Sequence, residues 1–294
     1  MPIGASLIAG SIQRVRPQQM IAVRPRQRQI VVHAAAPLHS GSTVSISSPG
    51  RMPDALPAES FPPFRFAVHP VSRIPNWGAM RTPAEWERTY EEMTDEDFVP
   101  VPSYNLDVLT TPLSTLTNPI TTQTIPLITA KLYYSTHYFS SYDIDAAEFT
   151  PEVVHPGIDL KLPEGTPVRA IGGGLVHAVR TTRRLGMHVI LEHRVPGEGT
   201  FYSVYGHLAE ATVKEGERVS PGETIGTVGM TGNTTGAHIH LQIDRGTGEA
   251  VHLPYYPRSA PSPAEAVRWT VHPITFIQEH QRTAKVVLQQ GKKR

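Results

Sequence analysis

Three short polar clusters hold the residue types that could do chemistry in this sequence: HPGID at 155–159, YGH at 205–207 and HIH at 238–240. In an extended strand, side chains at i and i+2 share a face, so His238 and His240 stand side by side while Ile239 and Leu241 pack behind them. On its own, such a pair reads equally well as two half-exposed sheet histidines or as two nitrogens aimed at one point. His155 and Asp159 are four apart, but Pro156 and Gly157 between them disfavour a helical turn and favour a turn leading into a strand. Antiparallel strands can bring clusters of this kind together across dozens of residues. A catalytic zinc takes three N/O protein ligands at roughly 2.0–2.2 Å and keeps a fourth position for water, whose pKa it lowers to about 7. Two histidines and one carboxylate supply that set without a thiol. The remaining two histidines could then move a proton or stabilise a developing oxyanion.

The composition narrows the chemistry further. The chain has 294 residues, 14 histidines and no cysteine, so a metal must be held by His, Asp or Glu, and a disulfide framework is impossible. With 39% hydrophobic residues it can build at least one proper core, and a formal charge of +1 points to no acidic partner. No nucleic acid is expected. The apolar patches at 6–10 and 30–36 are too short for a membrane span or for the apolar region of a secretory signal, so neither is expected.

Four stretches differ in texture. Residues 1–63 carry six arginines and no acid before Asp54, and their Pro, Gln and Ser content predicts a disordered, solvated arm. In 64–130, the capping box Thr82-Pro-Ala-Glu85 with Trp86, Tyr90 and Met93 at helical spacing predicts a helix over 83–93 that docks through Trp77 and Trp86. The Pro/Thr-rich text from Val99 to about Thr129 predicts an extended connector. Residues 131–250 are short β-type runs between Gly, Pro and Asn turns, which predict a mainly β domain built as an antiparallel sandwich or half-barrel. No helix is expected from Lys131 to Ser262. In 251–294, Ser262-Pro-Ala-Glu265 opens a short helix through Trp269, and a second is expected from Pro273 to Gln290.

The series HPGIDLKLPEGTPVRAIGGGLV, YSVYGHL and VKEGERVSPGETIGTVGMTGNTTGAHIHLQI resembles the lysostaphin/LytM-type zinc metalloendopeptidases over about residues 150–245. The resemblance implies a β half-barrel whose loops wall a groove, one Zn2+ per chain, and hydrolysis of peptide bonds in peptidoglycan stems or cross-bridges. It matches His155, Asp159 and His240 to the family's zinc ligands and His207 and His238 to its two catalytic histidines. A peptidoglycan substrate in turn implies the cell envelope or the extracellular space. Gln242 departs from the family, which usually has an acidic residue there, and Leu241 replaces a common aromatic. The alternative is a LytM-like regulator of other wall hydrolases that has lost activity; a lipoyl-type carrier domain is disfavoured because the turn MTGNTTG offers no lysine. His177, His188, His193, His252 and His272 are expected to pack or to face solvent, with His188 and His193 on opposite strand faces, and Glu192 and Asp244 are expected to be solvated.

Overall fold

Strand β11 (His238–Arg245) lies at the middle of the main sheet and is buried along nearly its whole length. The structure, a computed structural model, describes residues 61–110, 124–140, 155–248, 251–256 and 263–281. The expectation of disorder for the N-terminal arm falls, up to residue 60, outside them.

The strands are β1 (Arg73–Pro75), β2 (Phe98–Pro100), β3 (Tyr134–Thr136), β4 (Gly157–Lys161), β5 (Pro167–Arg169), β6 (Gly174–Thr182), β7 (Gly186–Val195), β8 (Gly199–Ala211), β9 (Arg218–Val219), β10 (Thr224–Val228), β11 and β12 (Thr270–Val271). β1 and β2 form a separate antiparallel pair. The rest make one antiparallel sheet in the order β3-β4-β11-β8-β7-β6-β9, with β10 bridging β5 to β8 and β12 beside β11. The architecture is mainly β and antiparallel, as expected.

Alternation along β11 sets the two faces of the sheet. Ile239, Leu241 and Ile243 enter the hydrophobic core with Ile158, Leu160, Tyr205 and Leu208, while His238, His240, Gln242 and Asp244 form a polar stripe on the other face. The register places His240 opposite Asp159 on β4 and opposite Gly206 on β8. All three polar clusters therefore come together by strand pairing, although pairing alone does not turn His207 to this face.

The helices differ from expectation. α1 is a single turn, Pro83–Trp86, capped by Thr82 and Glu85 as the sequence implies, but it does not run to Met93. Two more capping boxes follow, Thr89 with Glu92 and Thr94 with Asp97, and each starts its own 3-10 turn, Tyr90–Glu92 and Asp95–Asp97. In each box the carboxylate of Glu85, Glu92 or Asp97 accepts from the backbone N–H of the Thr three residues before it, so three short turns replace one helix. The connector is not wholly extended, because α2 (Leu106–Thr110) and α3 (Thr124–Tyr133) lie in or overlap it. α3 also crosses into the stretch where no helix was expected. It leads straight into β3, and Ala130, Tyr133 and Tyr134 join the core. α4 (Pro263–Trp269) lies where predicted, and residues 273–281 are helical; the remainder of the expected last helix is outside the described residues.

The segment before β3 is part of the same core, since Phe64, Ala67, Val71, Ile74 and Trp77 are buried in the cluster that holds β4 and β11. Trp77 and Trp86 pack ring to ring at 5.7 Å, so the docking expected of them is present, although the helix meant to present them is one turn long.

Candidate metal and catalytic site

His155 enters just before β4, on the turn that Pro156 and Gly157 create, and Asp159 follows on the strand. Asp159 Oδ1 lies 3.1 Å from His155 Nε2 and 3.1 Å from His240 Nδ1, and those two nitrogens are 2.9 Å apart. Gly157 is required here: a Cβ at that position would come within 2.5 Å of the Leu241 carbonyl and 2.9 Å of the His240 ring. His155, Asp159 and His240 are the one His/Asp/Glu group among the described residues whose ligand atoms converge, all lying within 4.8 Å of one another.

His207 reaches this face by a different route. In a regular strand it would share a face with Tyr205, which points into the core and whose hydroxyl accepts from the Ile171 N–H. The β7–β8 register slips between Met187 and Val189, and His207 adopts φ +62°, in the left-handed region. That bulge turns the imidazole to the opposite face. His207 and His238 then stand ring to ring at 4.6 Å, and His238 Nε2 is 3.7 Å from Asp159 Oδ1.

The tautomers follow from the hydrogen-bond partners, because a carbonyl oxygen only accepts. His155 Nδ1 donates to the His137 carbonyl (3.2 Å), His207 Nδ1 to the Thr231 carbonyl (2.8 Å) and His238 Nδ1 to the Gly236 carbonyl (2.8 Å). His240 is held the other way round: its Nε2 donates to Gln242 Oε1 (3.1 Å). In each ring the opposite nitrogen is left unprotonated. With both rings so fixed, the 2.9 Å approach of His155 Nε2 and His240 Nδ1 has no proton to share and sets two lone pairs against each other beside a carboxylate. A cation between them resolves that arrangement, and two nitrogens and a carboxylate oxygen suit zinc.

Burial pushes the Asp159 carboxyl up, but its pairing with His155 and His240 outweighs burial and holds it well below the usual range. Burial lowers His155, against the pull of Asp159. His207 is pushed down to about 4 by burial, opposed by the Thr231 carbonyl and helped by the neighbouring His238 and His240. At neutral pH it is therefore an uncharged acceptor.

The site opens into a groove of about 1430 Å³ whose lining includes His137, Arg183, His188, Gly236, Pro254 and Tyr256. His188 lines the groove, while His193 lies on the other face, as strand parity requires, with its Nδ1 donating to the Gly173 carbonyl and its Nε2 paired with the Ser203 hydroxyl. Two other expectations, for Asp244 and Glu192, need correction. Asp244 is 1% exposed rather than solvated. It accepts from Gln242 Nε2 (2.7 Å), from His252 Nε2 (2.9 Å) and from the Tyr255 N–H (3.0 Å). His252 and His177 pack as expected, against Tyr202, and the His252 N–H donates to His177 Nε2. Glu192 is half-buried with Arg194 at 3.2 Å and His177 at 3.8 Å. Sequence periodicity placed Asp244 on the face of His240 but gave no sign that residues 251–256 cover that face.

The departure at Gln242 also has a physical reason. Its amide nitrogen donates to Asp244 and to the Tyr255 carbonyl while its oxygen accepts from His240. A carboxylate in the same place would lack both donors and face Asp244 directly.

A central antiparallel sheet carrying two imidazoles and a carboxylate at one point, with two more imidazoles beside them, defines a candidate metal centre of hydrolase type. Residues 153–253 match the model of peptidase family M23. Over 119 residues it is 34% identical to the peptidoglycan DD-endopeptidase ShyA of Vibrio cholerae, covering 36% of this chain and 27% of that protein. It is 37% identical over 107 residues to ShyC of the same organism, covering 33% and 24%, and 40% identical over 89 residues to the glycyl-glycine endopeptidase ALE-1 of Staphylococcus capitis, covering 30% and 24%. The match thus spans about a quarter of the length of these relatives. Among the described residues no helix is long and apolar enough to cross a membrane.

Proposed function

We propose that this protein is a zinc-dependent metalloendopeptidase that hydrolyses peptide bonds in bacterial cell-wall peptidoglycan. The observation that carries the reading is the set of four tautomers, each held by an acceptor on the far side of its ring, which leaves three unprotonated nitrogens around Asp159 and a fourth, on His207, beside His238. His155 Nε2, Asp159 and His240 Nδ1 would hold the zinc, which when bound lowers the pKa of a water to about 7 and polarises the substrate carbonyl.

The chain's own residues do the rest. The groove takes an extended peptide and aligns its carbonyl with the cluster. One of His207 and His238 accepts the proton of the attacking water on Nε2; the other supports the developing oxyanion when its own Nε2 carries a proton. A proton gained on Nε2 lies where it can pass to the leaving amine. His207, neutral down to about pH 4, is ready to accept. Gln242 and Asp244 fix the His240 ring, as outer partners of metal-binding histidines do.

The test combines metal content by mass spectrometry with cleavage of purified peptidoglycan by the full chain. One zinc per chain, with metal and cleavage both lost in His240→Ala, supports the proposal. Absence of metal and of cleavage, with retained binding to another wall hydrolase, would establish the inactive regulator instead.

A further inference from the structure

The groove has an uneven charge. Its lining contains three cationic side chains, Lys161, Arg183 and Arg184, and a single carboxylate, Asp159, which belongs to the metal cluster. Lys161 lies close to that cluster by strand geometry. It lies two residues beyond Asp159 on β4 and so points to the same face, roughly 7 Å further along the strand. The register sets it directly opposite His238 on β11.

The Lys161 ammonium is positioned from outside the sheet. It lies 5.3 Å from the Trp77 ring centroid and 5.2 Å from that of Trp86, two rings that come from the segment before β3. Aromatic faces attract a cation at this range and hold a flexible side chain in place without neutralising it. Among the described residues no carboxylate pairs with Lys161. A half-buried, immobilised positive charge on the wall of a peptide groove is thus left to be matched by whatever fills the groove.

We propose that Lys161, held by Trp77 and Trp86, is a specificity-determining residue that binds a carboxylate of the substrate peptide within about two residues of the scissile bond. The inference rests on the peptidase reading and adds the substrate class, an acidic peptide. It also gives the segment before β3 a task, which is to hold the Lys161 ammonium between Trp77 and Trp86.

The test uses a peptidoglycan stem tetrapeptide with its carboxylates free and the same peptide with them amidated. Each is titrated into the full chain, with and without zinc, by tryptophan fluorescence and by hydrolysis. The wild type is expected to bind the free acid at least about tenfold more tightly than the amide, the scale of one charge-assisted contact. Lys161→Met is expected to lose that preference while binding the amide as before, and Lys161→Arg to keep most of it. Equal binding of the two peptides by the wild type, no binding of either, or a preference that survives in Lys161→Met would overturn the proposal. Cleavage without charge preference would remove this inference and leave the peptidase reading standing; charge preference without cleavage would do the reverse.

Discussion

Replacing Gln242 with leucine tests whether the hydrogen bonds behind His240 matter to the metal. In the native chain Gln242 Oε1 accepts the His240 Nε2 proton at 3.1 Å, and the amide nitrogen reaches Asp244 at 2.7 Å and the Tyr255 carbonyl at 3.0 Å. Leucine is of similar size but offers no acceptor, so the buried Nε2–H loses its partner. A buried donor left unsatisfied costs about 1–3 kcal/mol. Loss of an outer partner of a metal-binding histidine typically costs about 10–100-fold in affinity, which is about 1.4–2.8 kcal/mol and the same scale. Gln242→Leu should therefore weaken zinc binding about 10- to 100-fold in competition with a chromophoric chelator. Gln242→Glu keeps the acceptor for His240 but sets a carboxylate beside Asp244, so it should lower the denaturant midpoint in EDTA more than it lowers zinc affinity. A Gln242→Leu protein that held zinc within about twofold of the wild type would refute the reasoning.

Further outcomes follow from the same geometry. His207→Ala and His238→Ala should each cost orders of magnitude in hydrolysis while keeping zinc bound, whereas Asp159→Ala should lose zinc; metal-free His207→Ala and His238→Ala proteins would reverse the assignment. Gly157→Ala should cost about 1–3 kcal/mol by denaturant unfolding and disturb the His240 ring, because the new Cβ meets the Leu241 backbone carbonyl at 2.5 Å. His193 is fully buried between Gly173 and Ser203, and burial pushes it down to about 4 from 6.5. The unfolded chain therefore binds this proton first as pH falls, so the stabilising contribution is full above 6.5 and is lost towards 4. The gap corresponds to about 3 kcal/mol. A wild-type stability profile that is flat across that window, or an unchanged slope in His193→Gln, would contradict it.

Much of the site could be read in the sequence because it depends on short-range geometry. Two histidines at i and i+2 on a strand share a face whatever surrounds them, and Pro156-Gly157 ends any helix that would separate His155 from Asp159. The alternation of 131–250 likewise announces an antiparallel sheet. What failed was the reading of helices, where a spacing of apolar residues suggested one helix over 83–93 and three competing Thr caps made three turns.

Only the tertiary structure decided the rest. Strand parity alone puts His207 with Tyr205 in the core, and a register slip against β7 with a left-handed backbone at His207 turns it to the groove. Asp244 looked solvated because exposure depends on what packs above a strand, and residues 251–256 supply His252 and Tyr255 from beyond the sheet. The cradle of Lys161 is of the same kind, since Trp77 and Trp86 lie more than seventy residues before it in the chain. Residue identity and local periodicity determined which groups could meet a metal. Long-range pairing determined which of them do, because the register of a strand and the cover over its polar face are set by contacts that no local pattern records.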